Sequence, residues 1–197
     1  MKTIPVAIVV LSSFILSSCG PQKTKEISTL PPQPSSIPLL SVTSTPSKPM
    51  TNTSESVVAL NTKNGQIVLK LYADVAPNTV ANFLKKTNSG FYNGLTFHRV
   101  ISGFMAQGGD PLGTGTGGGT QTSEINSRPF VRGTIGLARG GDIKFSNDSQ
   151  FFICFTTEGC QHLTNDYVNF GEVVSGLEVL DKIQQGDKIV SLTSTTK

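Results

Sequence analysis

The stretch FHRVISGFMAQGGD, residues 97–110, places Arg99 and Gln107 among apolar side chains. If FHRVI is a strand, Phe97, Arg99 and Ile101 lie on one of its faces, because side chains alternate along a strand. Only 15% of the residues in the chain are charged, so an arginine within an apolar strand suggests a functional role.

Ser102–Gly103 can turn the chain, after which Met105 and Gln107 share a face of the next strand. If the two strands pair, Arg99, Met105 and Gln107 gather on one surface with Phe104 at its edge. One fixed cation and one amide over an apolar floor is the usual form of a ligand site. The alternative is an arginine that extends to solvent at a strand edge, which is common.

A wider pattern favours the site. Four segments of the chain, within about residues 57–192 and in this order, resemble the cyclophilin family of peptidyl-prolyl cis-trans isomerases: FYNGLTFHRVISGFMAQGGDPLGTGTGG, GTIGLARG, SQFFICF and NFGEVVSGLEVLDKI. The resemblance implies an eight-stranded barrel, a proline-binding groove and isomerase (rotamase) activity on proline-containing peptides.

The resemblance assigns roles residue by residue. It implies that Arg99 and Gln107 are catalytic. The substrate-binding positions that it implies are Phe104, Met105, Gly115, Ala138, Arg139, Gly140, Gln150, Phe152, His162, Leu163 and Tyr167. Four of these would form the proline pocket: Phe104, Met105, Phe152 and Leu163.

Three departures from the family pattern affect the rim of the groove. Tyr167 replaces a histidine of many eukaryotic members, and His162 replaces a tryptophan that matters for binding cyclosporin. The GDIKFSND loop, residues 141–148, lacks the usual Pro-Asn pattern. These changes leave cyclosporin sensitivity and substrate preference open, but they do not touch Arg99.

The chemistry of the reaction agrees with this assignment. An X–Pro bond isomerises over a barrier of about 20 kcal/mol because the planar amide resists twisting. The twisted nitrogen regains its lone pair, so a donor aimed at it stabilises the transition state more than either ground state. Arg99 is the donor that the motif offers, and the reaction needs no nucleophile, metal or cofactor. The alternative function is a membrane-tethered module that binds proline peptides without turnover.

The surrounding sequence predicts a mainly β domain. VVALNTKNGQIVLKLY predicts a hairpin around Asn64-Gly65, because both residues tolerate positive φ. APNTVANFLKKTNSG, with Pro77 and Gly90 at its ends, and GLEVLDKIQQG predict helices. Six further short strands are predicted at LTFHRVI, FMAQGG, TIGLA, QFFICF, NFGEVV and KIVSLT. We therefore expect a closed eight-stranded antiparallel barrel with two helices capping its ends.

The N-terminal part predicts an envelope protein. Residues 1–18 combine Met1-Lys2 with an apolar run, and with LSSC at residues 16–19 they resemble a bacterial lipoprotein signal peptide with lipidation at Cys19. Residues 19–55 are rich in Pro, Ser and Thr and predict a disordered tether. Residues 56–197 would then be an isomerase domain, lipid-anchored on the extracytoplasmic face of a membrane, that assists the folding of exported proteins as a chaperone.

Other partners and other chemistry are disfavoured. The net charge is only +3 and the chain has no Trp, which argues against nucleic acid, and we expect a monomer. GTGTGG, residues 113–118, fits a dinucleotide loop only if a helix follows it. His98, Cys160 and His162 are too few for a structural zinc site. Cys160, His162 and Asp166 could suggest a thiol hydrolase, but all three lie in one short loop and none is placed as an activated pair.

Cys154 and Cys160 allow two states outside the cytoplasm. A disulfide is one, but Cys154 lies in the apolar run QFFICF, where a buried free thiol is the commoner outcome. The free thiol is therefore favoured, while the sequence leaves the redox state of the pair open.

Overall fold

A computed structural model describes residues 56–196 of the chain. Ten strands form in that part: β1 Ser56–Thr62, β2 Gly65–Leu71, β3 Arg99–Ile101, β4 Met105–Gly108, β5 Thr120–Thr122, β6 Thr134–Leu137, β7 Phe145–Asn147, β8 Phe151–Cys154, β9 Asn169–Ser175 and β10 Ser191–Thr196. The helices are α1 Pro77–Asn88, α2 Thr157–Cys160 and α3 Leu177–Leu180, and a 3-10 helix at Gln161–Leu163 follows α2.

The predictions for residues 1–55, namely the signal peptide, the lipidated Cys19 and the tether, lie outside the described residues. Within residues 56–196, none of the helices is both long enough and apolar enough to cross a membrane.

Eight strands form one antiparallel sheet in the order β10-β1-β2-β9-β6-β8-β4-β3. The mainly β, antiparallel prediction is confirmed, but the closed barrel is wrong: the sheet is an open, strongly curled half-barrel. Its edge strands β3 and β10 do not pair with each other. The segments that precede them, residues 94–97 and 186–189, exchange backbone hydrogen bonds instead.

The chain changes its hydrogen-bond partner between residues 97 and 99, and this places Phe97 and Arg99 on different faces. Phe97 donates its backbone N–H to Asp187, whereas β3 begins only at Arg99 and pairs with β4. Strand alternation therefore does not run through residue 98. Phe97 is fully buried in the core while Arg99 is exposed, so the prediction that they share a face is wrong.

The first hairpin follows its hydrophobic pattern. Val58 and Leu60 of β1 and Ile67 and Leu69 of β2 are fully buried on one face. Thr62 pairs with Gly65, so the central turn residues are 63 and 64, one position earlier than predicted. Only Gly65 takes a positive φ, of 132°, which a glycine adopts without steric cost.

Helix α1 agrees with its predicted ends. Pro77 occupies the first turn, and Gly90 follows the helix in the left-handed conformation with φ 72°. Phe83 packs against the rings of Tyr92, Phe151 and Phe170 in the main core. The helix therefore covers one part of the concave side of the sheet.

The second predicted helix is shorter than expected. Only the single turn of α3 is helical, although Val179, Leu180 and Ile183 are all buried as the periodicity indicates. The small sheet of β5 and β7 and the turn of α2 were not predicted from the sequence, because elements of three or four residues carry too little periodicity.

Cys154 and Cys160 form a disulfide, so the expectation of a buried free thiol is wrong. The Cα atoms lie 6.2 Å apart, within the range that a disulfide spans. A helical turn at α2 brings Cys160 back beside β8, and no periodicity in the sequence indicates that turn. The disulfide ties the segment that carries His162 and Leu163 to the sheet.

The N-terminus of α1 is capped by Glu124, a residue far away in the sequence. Ala76 at the N-cap makes no side-chain hydrogen bond, but the carboxylate of Glu124 accepts from the N–H groups of Asn78 at 3.0 Å and Thr79 at 2.7 Å. Burial raises the pKa of Glu124, yet these hydrogen bonds outweigh it and the net pKa is lowered.

We predict that Glu124→Ala lowers the free energy of unfolding by about 1–2 kcal/mol at pH 7, as loss of a helix cap does. The loss should shrink as the pH falls below about 4, since a lowered pKa stabilises the fold only while the carboxylate is ionised. Urea unfolding at several pH values measures both. Glu178→Ala is the control: Glu178 is exposed and should change stability by less than about 0.5 kcal/mol. An equal loss in both variants would contradict the capping role.

Candidate active site

The pairing of β3 with β4 places Arg99 opposite Gln107, as predicted. Nη1 of Arg99 donates to Oε1 of Gln107 at 3.2 Å. Met105, two residues before Gln107, points to the same outer side of the sheet, while Ala106 points into the main core. The predicted cation and amide therefore stand together beside an apolar side chain.

A second apolar cluster lies on this outer side of the sheet, separate from the main core. It contains six buried side chains, with Phe104 and Tyr167 packed against them: Met105, Phe130, Phe152, Cys154, Cys160 and Leu163. Strand β8 supplies both clusters because Phe152 and Cys154 alternate with the core residues Phe151 and Ile153. One strand pair thus forms the core on one face and the floor of a site on the other.

Gly136 makes room for this floor. It lies opposite Phe152 on β6, and a Cβ atom there would come within 2.6 Å of Phe152 and 2.7 Å of Phe130. The rings of Phe130 and Phe152 stack above it with their centroids 5.8 Å apart. The floor therefore depends on a residue without a side chain, and on Phe130, which the sequence did not identify.

A cavity of about 200 Å³ opens above the floor. Pockets for drug-sized ligands measure about 300–1,000 Å³, so this one suits a single small side chain. Ten of the thirteen predicted site residues line it: Arg99, Phe104, Met105, Gln107, Ala138, Arg139, Phe152, His162, Leu163 and Tyr167.

The other three predicted residues, Gly115, Gly140 and Gln150, line a neighbouring cavity of about 390 Å³. Gln107, Ala138 and Arg139 line both cavities and so form the wall between them. The thirteen residues therefore lie along one continuous groove with two compartments. The GDIKFSND loop contributes Asp142 and Phe145 to the second compartment, and Phe145 is half exposed.

A chain of hydrogen bonds fixes the polar side of the groove. Gln107 accepts from Arg99 and donates from Nε2 to Oε1 of Gln150 at 2.9 Å. Gln150 in turn donates to the carbonyls of Gly115 at 3.1 Å and Gly117 at 2.8 Å. Gln150 is only 2% exposed, so its amide acts mainly within the protein.

The glycine-rich loop is organised from within. Asp110 is buried, and its carboxylate accepts from the N–H groups of Leu112, Thr114 and Gly115. Burial raises the pKa of Asp110, but the three hydrogen bonds outweigh it and hold the pKa below its usual value. These N–H groups are therefore not available to a phosphate, and strand β5 follows the loop where a dinucleotide site needs a helix.

His98, directly before β3, does not add a second positive charge beside Arg99. Burial lowers the pKa of His98, Asp110 opposes this, and Arg99 lowers it further. Both ring nitrogens of His98 are buried without a hydrogen-bond partner among the described residues. The imidazole is therefore neutral at pH 7.

The structure disfavours the other chemistries. Cys160 lies in a disulfide, so it offers no thiol to His162 or Asp166 for a hydrolase reaction. Among residues 56–196, no three His, Cys, Asp or Glu side chains come together in a way that could hold a metal ion.

Comparison with known proteins agrees with the geometry. Residues 57–196 match the family described as cyclophilin type peptidyl-prolyl cis-trans isomerase/CLD. A peptidyl-prolyl cis-trans isomerase of Synechococcus elongatus is 45% identical over 141 residues, which cover 70% of this chain and 94% of the relative. Peptidyl-prolyl cis-trans isomerase B of Bacillus subtilis is 46% identical over 126 residues, or 62% of this chain and 85% of the relative.

A solved structure of a Cryptosporidium parvum cyclophilin, obtained in the presence of the dipeptide Ala-Pro, matches with a TM-score of 0.66 and 29% identity. The match covers 72% of this chain and 99% of that one. The chain belongs to the cyclophilin-type peptidyl-prolyl cis-trans isomerases, and its enzymatic activity is the cis-trans isomerisation of X–Pro peptide bonds.

Proposed function

We propose that Arg99 catalyses this isomerisation by donating a hydrogen bond to the prolyl nitrogen of the twisted transition state. The observation that carries the proposal is the position of its guanidinium beside the 200 Å³ cavity with its apolar floor, hydrogen-bonded to Gln107. A proline ring seated between Met105, Phe152 and Leu163 would bring its nitrogen towards Arg99. An arginine suits this role because it stays protonated at any working pH.

Arg99 supplies only part of the acceleration. One charge-assisted hydrogen bond contributes about 1.5–3 kcal/mol, whereas a rate gain of roughly 10⁵ needs about 7 kcal/mol. The apolar floor of the cavity contributes by excluding water from one side of the bound proline, which strengthens the electrostatic interactions there. Gln107 and the backbone near Arg139 hold the carbonyl that precedes the proline, so the peptide is bound in an orientation that Arg99 can act on.

We predict that Arg99→Ala lowers kcat/KM on an X–Pro peptide by about 10- to 100-fold, the equivalent of one charge-assisted hydrogen bond. Peptide affinity should change much less, because the contact forms mainly in the transition state. Arg99→Lys should recover only part of the rate, since a lysine lacks the rigid planar donor group. A protease-coupled isomerase assay and an NMR titration of the peptide measure the two quantities.

Arg128→Ala is the control for loss of an arginine. Arg128 pairs with Asp74 at 2.9 Å and lines neither compartment of the groove, so kcat/KM should stay within about twofold. The proposal fails if Arg99→Ala keeps its rate, or if affinity falls as much as kcat/KM does. A wild-type protein with no rate above the uncatalysed one would instead indicate a proline-peptide binding module.

We further propose that the enzyme acts on exported proteins from a lipid anchor at Cys19, on the extracytoplasmic face of a membrane. The lipoprotein-like residues 1–19 support this. The disulfide between Cys154 and Cys160 supports it independently, since disulfides persist in oxidising compartments and are rare in the cytoplasm. Acyl chains on one residue anchor a protein because each buried CH₂ contributes about 0.8 kcal/mol.

We predict that Cys19→Ser moves the protein from the membrane fraction to the soluble fraction and abolishes incorporation of labelled palmitate. Fractionation of expressing bacteria followed by immunoblotting measures the first effect, and autoradiography the second. Ser28→Ala, within the tether, is the control and should leave both unchanged. Unchanged membrane retention and labelling of Cys19→Ser would contradict the lipid anchor.

A further inference from the structure

The four arginines of the chain fall into two groups. Arg128 pairs with Asp74, and Arg132 makes two hydrogen bonds of 2.9 Å to the carboxylate of Asp181. Arg99 and Arg139, which line the groove, make no ion pair with a carboxylate among residues 56–196. The groove therefore holds two cations whose charge the described protein does not balance locally.

Arg139 is held in a defined orientation. Its Nε donates to the backbone carbonyl of Asp166 at 2.9 Å, and Nη1 donates to the carbonyl of Gly140 at 3.0 Å. Its guanidinium lies 4.5 Å from the centre of the Tyr167 ring. Nη2 makes no hydrogen bond to any described residue. A half-buried guanidinium is thus fixed on the protein side and retains free donors for a ligand.

The acidic groups near Arg139 do not neutralise it. Asp142 lines the second compartment, but its carboxylate is exposed and accepts from the backbone N–H of Lys144 at 2.9 Å. Asp166 contacts Arg139 through its carbonyl, and its side chain is exposed. Asp110 is buried beneath the loop with its carboxylate occupied by backbone N–H groups. The wall between the two compartments is therefore positively charged.

The direction of a bound peptide follows from the proposed chemistry. If Arg99 donates to the prolyl nitrogen, the carbonyl bonded to that nitrogen belongs to the preceding residue. Gln107, proposed to hold this carbonyl, lines both compartments together with Arg139. The residue before the proline is then held at the wall that Gln107 and Arg139 share, within reach of the Arg139 guanidinium.

We propose that Arg139 is a specificity-determining residue that favours Asp or Glu immediately before the proline. This inference rests on the proposed function, because it takes the proline ring to occupy the first compartment. A carboxylate at that position would accept from the free Nη2 of Arg139 and balance the charge of the groove. A charge-assisted hydrogen bond to a planar guanidinium also fixes the geometry of the carboxylate.

The test compares two peptides, Ala-Glu-Pro-Phe and Ala-Gln-Pro-Phe, whose residues before proline differ in charge but hardly in shape. The wild type should process the Glu peptide with a kcat/KM about fivefold higher, the size of one partly exposed ion pair. Arg139→Gln should bring the ratio to about one, and Arg139→Lys should keep part of it. In the wild type the ratio should also fall as salt rises from about 0.05 to 0.5 M, since salt screens exposed charges.

Several outcomes would overturn the inference: a wild-type ratio of about one, a ratio that Arg139→Gln leaves unchanged, or a ratio that does not respond to salt. The salt series uses only the wild type, so it does not depend on the folding of a variant. NMR titration measures a second quantity, the ratio of the affinities for the Glu and Gln peptides, which does not depend on turnover. If the wild type turns over neither peptide but still binds the Glu peptide about fivefold more tightly, the catalytic proposal for Arg99 is contradicted while the role of Arg139 is supported.

Discussion

The guanidinium of Arg99 can donate a hydrogen bond but never accept one, and this constraint sets the polarity of the whole groove. Because Arg99 donates, Gln107 must present its oxygen to Arg99 and its NH₂ group to Gln150, which directly precedes β8. Gln150 must then present its oxygen to Gln107 and its NH₂ group to the carbonyls of Gly115 and Gly117. The side chains of Gln107 and Gln150 are thereby both oriented by Arg99, and the glycine-rich loop is joined to them.

The same chain accounts for a loop that has many glycines and yet holds a defined position. Asp110 binds the N–H groups of the loop from the inside, while Gln150 binds two of its carbonyls from the groove side. Carboxylates and amides that accept and donate several hydrogen bonds in buried positions give rigidity, because an unpaired buried polar group is costly. The loop therefore forms a wall of the second compartment, in a place where its sequence alone resembles a phosphate-binding loop.

Residue alternation explains how much of the site could be predicted. Met105 and Gln107 follow each other at a spacing of two within one strand, so their shared face follows from the sequence. Arg99 was placed correctly, but Phe97 was not, since the chain changes hydrogen-bond partner at residue 98. The open edge of the sheet has the same cause. Residues 94–97 pair with residues 186–189, about 90 positions away in the sequence, and no local pattern indicates such a pairing.

Contacts between distant segments account for the other features that were not predicted. Phe130 stacks beneath Phe152 only because Gly136 leaves space between β6 and the rings. The disulfide forms because α2 returns Cys160 to β8, and a four-residue helix is too short to be read from periodicity. The family resemblance named thirteen site residues without these supports, and the structure places all thirteen along one groove.

We infer that the hydrogen bonds from Arg99 to Gln107 and from Gln107 to Gln150 couple Gln150 to the rate mainly through Arg99. A double-mutant cycle of Arg99→Ala and Gln150→Leu tests it, with kcat/KM on one X–Pro peptide as the readout. We expect Gln150→Leu to lower kcat/KM roughly tenfold in the wild type, as loss of a buried hydrogen-bond partner does, but only about threefold when Arg99 is already alanine, because Gln107 then loses only its hold on the substrate carbonyl. The same loss in both backgrounds would contradict it, since Gln150 would then act independently of Arg99.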